Sequence, residues 1–136
     1  MKNYSFLLLA ISFLGLTGCV ANLVVQDATI NFSTKTVNVA VKNIGYKDAG
    51  PHLTYVEINE VGAADAVKPQ SQFSASVSGI PAGSSWSSGP IPFSRFSSRP
   101  GLDLSTLTAA NLVVRADAKN MVKESNEGDN IYDANH

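Results

Sequence analysis

Thr36-Val37-Asn38-Val39-Ala40-Val41-Lys42 places a valine at every second position between smaller or polar residues. Period two places its three valines on one face of an extended chain. Their β-branched side chains suit a pleated, half-buried surface. Asn43-Ile44-Gly45 follows. Asn and Gly tolerate turn dihedrals, so the strand is predicted to stop there. Upstream, residues 23–30 (LVVQDATI) read as another strand. The short Thr34-Lys35-Thr36 connection makes the two a hairpin or a near-neighbour pair.

The extended pattern continues downstream. After a polar turn at residues 46–51, residues 53–61 read as a strand, and residues 61–71 as a loop. Residues 72–77 place Phe73, Ala75 and Val77 on one side and serines on the other. Residues 86–96 are predicted as one strand broken by Gly89, Pro90 and Pro92. Proline donates nothing to a ladder, which confines this strand to a sheet edge or a bulge. Residues 97–108 are predicted as a loop with one helical turn capped by Asp103 or Ser105. Residues 111–116 and 131–134 complete the set. About seven strands and no sustained helical period predict an all-β, antiparallel sandwich.

At 136 residues the chain has room for one domain. A formal net charge of −1 excludes a basic nucleic-acid binder. Cys19 is the sole cysteine, which excludes an internal disulfide and a thiolate metal cage. Residues 1–18 read as a signal peptide, with Lys2 at the start and an apolar run at residues 6–14. That run is shorter than the roughly 20 residues a membrane span needs. Leu16-Thr17-Gly18-Cys19 then resembles the lipobox of bacterial lipoproteins. The resemblance implies cleavage before Cys19 and diacylglyceryl attachment to its sulfur. The membrane lipid is then a partner, and residues 19–21 form a lipidated N-terminus with a short linker. Residue 20 is Val and not Asp, which in enteric bacteria implies sorting to the outer membrane. Cleavage leaves 118 residues, and the loss of Lys2 takes the formal charge to −2.

Three segments of the mature chain share a further likeness. They are Val41-Lys42-Asn43-Ile44-Gly45, Ile80-Pro81-Ala82-Gly83-Ser84, and the run from Ala116 to Asn130 (ADAKNMVKESNEGDN). Together they resemble the CARDB family, a cell-adhesion-related domain of bacteria, over residues 22–134. Ile80 and Asp129 depart from its usual Leu and Asn. The resemblance implies an immunoglobulin-like β-sandwich but little about activity, because members are mostly non-catalytic modules on envelope or secreted proteins, and such a fold hosts many binding roles. No cofactor is expected, and the partner is expected to be a protein or glycan.

Two constellations are candidate sites. Asp117, Asn120, Glu124, Asn126, Glu127, Asp129 and Asn130 gather oxygen atoms in one short run. Calcium takes six to eight oxygens, but the spacing is not that of an EF-hand. A structural role is preferred, because Asn and Asp side chains bond nearby backbone groups and hold turns. The second candidate is surface recognition by Phe93, Arg95, Phe96 and Arg99, since Arg and aromatic rings serve as binding hot spots. Trp86 is assigned to core or edge packing. No G-x-S-x-G is present, and His52 is read in a turn beside Pro51, so a serine hydrolase is not supported. Asn31-Phe32-Ser33 matches a glycosylation acceptor by coincidence. The leading expectation is an envelope-anchored binding or adhesion domain. The alternatives are an accessory subunit of a larger envelope or secretion assembly and a calcium-dependent module.

Overall fold

The computed structural model describes residues 20–62 and 70–136. The segment expected to be a signal peptide, Cys19 and residues 63–69 of the predicted loop lie outside the described residues. The described chain forms β1 (Leu23–Asn31), β2 (Thr36–Asn43), β3 (His52–Asn59), β4 (Ser71–Val77), β5 (Ser85–Ser87), β6 (Ile91–Pro92), β7 (Ser97–Ser98), β8 (Asn111–Arg115) and β9 (Ile131–Asn135). They build two antiparallel sheets, one of β1, β2, β5 and β6 and one in the order β7-β4-β3-β8-β9. The immunoglobulin-like sandwich expected from the sequence is present, with nine strands where about seven were anticipated.

The valine row of β2 does what its spacing dictates. Val37, Val39 and Val41 are fully buried, and the residues between them are half-buried. β1 pairs with β2 as the predicted hairpin, from Leu23↔Asn43 to Asn31↔Thr36. The Asn31 side chain accepts the Ser33 and Thr34 amides, at 3.0 Å each, and so shapes the hairpin turn. On the facing sheet, Val56 and Ile58 of β3 and Leu112 and Val114 of β8 close the core.

The strand expected over residues 86–96 is divided. β5 pairs with Ala40–Lys42 and β6 with Thr36–Val37, so the two lie in line along one edge of β2. Between them Gly89 takes φ +62°, and the Ser88 hydroxyl accepts the Val39 amide at 3.0 Å, replacing a ladder bond. After Pro92 the chain leaves the sheet in a 3-10 turn, Phe93–Arg95. The second helical turn, Leu104–Thr106, is capped by Asp103, whose carboxylate accepts the Ser105 amide at 2.9 Å. His52 is not in a turn. It opens β3 and is buried on the core face, with Nδ1 2.9 Å from the Gly50 carbonyl oxygen.

The two ends of the sandwich are distinct. Strand pairings bring the turns at residues 44–51, 78–84 and 117–130 to the end where β1 begins. The hairpin turn at residues 32–35 lies at the other end, about 30 Å away for a nine-residue strand. Val20 and Ala21 already belong to the fold: the Tyr46 amide donates to the Val20 carbonyl at 3.1 Å, and Ala21 is buried. The expected short linker therefore does not extend past residue 19.

Gly45 makes this close approach possible. A Cβ there would overlap the Val20 carbonyl oxygen and lie 2.5 Å from the Asn22 nitrogen, both backbone atoms that cannot swing aside. Gly50 has open space around it. Gly45→Ala is expected to lower the urea midpoint by an amount equivalent to about 1–3 kcal/mol, as overpacking does. Gly50→Ala is expected to stay within about 0.5 kcal/mol. Equal midpoints for the two variants would contradict the assigned packing.

Candidate functional site: a polar clamp at the N-terminal end

Asn43 continues the buried face of β2 one step past Val41 and is itself fully buried. A buried amide needs partners for two donors and an acceptor oxygen. Its Nδ2 donates to the Lys47 carbonyl at 2.8 Å and to the Ile80 carbonyl at 3.0 Å. Its Oδ1 accepts the Asn22 amide at 3.1 Å and the Gly45 amide at 3.0 Å. One side chain thus joins the start of β1, the β2–β3 turn and the segment before β5. Leaving such groups unpaired costs about 1–3 kcal/mol each, against a domain stability of about 5–15 kcal/mol.

The run at residues 117–130 grips the same N-terminal segment. Asp117 is buried with φ +45°, and its carboxylate accepts the Met121 amide at 2.8 Å and the Val122 amide at 2.7 Å. Asn120, at φ +49°, donates its amide to the Asp117 carbonyl at 2.8 Å and completes that turn. Glu124 accepts the Leu23 amide through Oε2 and the Asn130 Nδ2 through Oε1, the latter at 2.8 Å. Glu127 accepts the Glu124 amide at 3.1 Å, and Asn126 accepts the Gly128 amide at 3.0 Å. Asp129 accepts from Asn22 Nδ2 at 3.1 Å. Ala21 and Glu124 form a parallel bridge, and the Ser125 amide donates to the Ala21 carbonyl at 3.0 Å. The seven residues singled out in sequence therefore share one region, where Asp117, Glu124, Asn126 and Glu127 accept backbone amides and Asp129 and Asn130 bond side chains.

Burial is the largest influence on Glu124 and pushes its carboxyl from 4.5 up to about 7. Repulsion from Glu127 and Asp117 adds to this, and the Leu23 and Asn130 hydrogen bonds oppose it. Asn130 Oδ1 is buried without a partner. A half-turn of the Asn130 amide would let that oxygen accept a hydrogen bond from protonated Glu124, so the site accommodates either protonation state.

Carboxylate oxygens of Asp117, Glu124 and Glu127 lie within 4.8 Å of one another. This is the arrangement that could meet a cation. Each of these carboxylates already receives at least one backbone amide. Five of their six oxygens already accept a hydrogen bond, which leaves little for a calcium ion that prefers six to eight oxygens.

The other candidate group is split by the fold. Phe93 and Phe96 are buried, packed edge to face at 6.5 Å between centroids, because the 3-10 turn folds them inward. They are core residues and not an exposed aromatic surface. Arg95 lies over the Phe73 ring, 4.9 Å from its centroid. Arg99 pairs with Glu60 at 2.6 Å on the exposed surface. Trp86 is half-buried on β5 and packs against the core, as expected. A groove of about 520 Å³ lies at the far end, lined by Lys35, Phe93, Ser98, Leu102, Leu104 and Ser105 among others. Sequence reasoning did not find it, since its walls come from three separate turns.

The CARDB family profile matches residues 19–134. The chain belongs to the CARDB family. The match spans the whole clamp, from Ala21 to Asn130. A solved structure with the same fold is the solution NMR structure of a domain from a Methanosarcina acetivorans protein described as a cell surface protein. It is 20% identical, with a TM-score of 0.59, covering 85% of this chain and 90% of that one. No curated protein matches the sequence. In this CARDB chain the V-x-N-x-G stretch and the acidic, Asn-rich run are two halves of one clamp.

Two solution experiments follow from the clamp. Between pH 4.5 and about 7 the folded Glu124 holds a proton that the unfolded chain has released. Stability contributed there is fully present at low pH and is lost as the pH rises through that window. Urea midpoints from pH 4.5 to 8 are expected to fall for the wild type relative to Glu124→Gln. Parallel pH profiles would contradict the assignment. The melting temperature is expected to be the same in millimolar calcium and in chelator, because backbone amides rather than an ion satisfy the carboxylates. A rise with calcium would show that the cluster holds the ion.

Proposed function

We propose that this CARDB chain is a lipid-anchored, non-catalytic binding module of the cell envelope. It is tethered through an acylated Cys19 and presents the opposite end of its sandwich to a protein or glycan. The observation that carries this reading is the clamp. It fixes Val20–Leu23 at one end of the sandwich, immediately after the lipobox cysteine. With no slack past residue 19, a lipid on Cys19 would hold that end at the bilayer and turn the hairpin end outward.

The surfaces at the two ends support this polarity. Ile44, Tyr46 and Met121 are exposed at the clamp end, and Met121 and Val20 line one pocket there with Lys47 and Lys123. Apolar side chains flanked by lysines suit a lipid–water interface. The far-end groove combines an apolar floor with hydroxyl groups and Lys35 on its rim. Concave sites of that kind bind ligands by apolar contact with a few orienting polar groups. His52 is buried against Gly50 and is not placed to activate a nucleophile. Where the host has an outer membrane, Val20 after Cys19 directs the protein there.

The test is made in cells. The wild type is expected to incorporate labelled fatty acid and to remain with membranes. Cys19→Ser is expected to lose the label and appear in the soluble fraction. A photo-cross-linking residue at Ser94, on the groove rim, is then expected to capture a defined partner, whereas one at Lys123 captures lipid. An unlabelled wild type, or a Cys19→Ser protein that stays membrane-bound, would defeat the anchoring.

A further inference from the structure

An antiparallel sandwich leaves sheet edges whose backbone groups can pair with another chain, and natural proteins blunt them with bulges, prolines or charges. Three of the edges here carry such a device. β1 has a register shift between Val25 and Asp27, and Asp27 is exposed. The β5–β6 edge is interrupted by Gly89, Pro90 and Pro92. β9 carries the exposed Asp133.

The edge at β4 has none. β7 covers only Ser71 and Gln72. From Phe73 to Val77 the strand is regular, with no shift against β3, and contains no charge and no proline. Its open groups can be assigned. The Leu53 carbonyl accepts the Ala118 amide, so Leu53 faces the β8 side of β3. Alternation then turns His52, Thr54 and Val56 toward β4, where they pair with Val77, Ala75 and Phe73. The backbone N–H and C=O of Ser74 and Ser76 therefore point to the open edge. The Gln70 carbonyl, two residues before Gln72, points the same way and accepts the Arg99 amide at 2.8 Å. Among the described residues, the Ser74 and Ser76 backbone groups have no partner on that side.

A cleft of about 380 Å³ runs beside this edge, with Phe73, Trp86, Ile91 and Arg95 along it. Arg95 makes no ion pair among the described residues. We propose that the Phe73–Val77 edge is a docking site for an extended peptide segment of a partner protein, added as a strand in line with β7. The occupant is a polypeptide because only an extended backbone repeats donors and acceptors at the spacing of Ser74 and Ser76. Alternate side chains of the guest would enter the cleft beside Trp86, and an acidic residue would meet Arg95.

The probe is a displayed library of random nine-residue peptides selected on the mature chain, Cys19–His136. Selected peptides are expected to carry β-branched residues at alternate positions with an Asp or Glu among them. They are expected to slow hydrogen exchange at the Ser74 and Ser76 amides. Ser76→Pro removes one outward N–H that the fold does not use, so the melting temperature should hold while affinity falls at least tenfold. N-methylation of alternate peptide amides should have the same effect without altering the protein, which covers the case of a variant that fails to fold. Arg95→Glu should select against the acidic residue. Failure to select any peptide, binding indifferent to backbone N-methylation, or exchange protection confined to the far-end groove would overturn the proposal. None of these outcomes depends on acylation of Cys19.

Discussion

The amide of Asn43 is the constraint on which the rest of the molecule depends. It sits where the valine row of β2 would otherwise run out, in an interior that charges a high free energy for unpaired polar groups. All four of its hydrogen bonds go to backbone atoms, of Asn22, Gly45, Lys47 and Ile80. Backbone atoms cannot be exchanged for others, so the amide fixes three chain segments relative to one another. Glu124 and Asp117 extend the same logic with carboxylates, each receiving main-chain N–H groups. The result is a sandwich with an apolar middle and one polar, densely bonded end. The entry of the chain is locked into that end.

This end determines what the fold can do for its owner. A lipid on Cys19, as proposed, would orient the sandwich only if the N-terminal segment is fixed to it. Here Val20, Ala21 and Asn22, the first described residues, are bonded to the turns at residues 44–46 and 124–125. The far-end groove and the open β4 edge both lie away from that attachment or along its flank.

Much of the sandwich could be read directly from residue spacing. The β2 valines, the β1–β2 hairpin, the alternation of β4 and the apolar β8 all follow from period two with β-branched residues. The misreadings have local physical causes. Asn43 satisfies turn chemistry and the buried row equally well, and only its three-dimensional partners show that it serves both. Phe93 and Phe96 look like an exposed Arg-aromatic cluster in sequence, because nothing local announces the 3-10 turn that folds them into the core. His52 follows Pro51 and has the sequence context of a turn, yet its ring falls in the buried row of β3. The end run was legible as one unit. That it grips Ala21, Asn22 and Leu23, about a hundred residues away, was not.

The most direct measurement is native-state hydrogen exchange at the amides of Asn22 and Leu23, which donate to Asn43 and Glu124. With the chain entry clamped, both exchange only through global unfolding, at the same free energy as Val39 in the centre of β2. Exchange of either amide at the rate of an exposed loop in the intact protein would show that the N-terminal segment is not clamped.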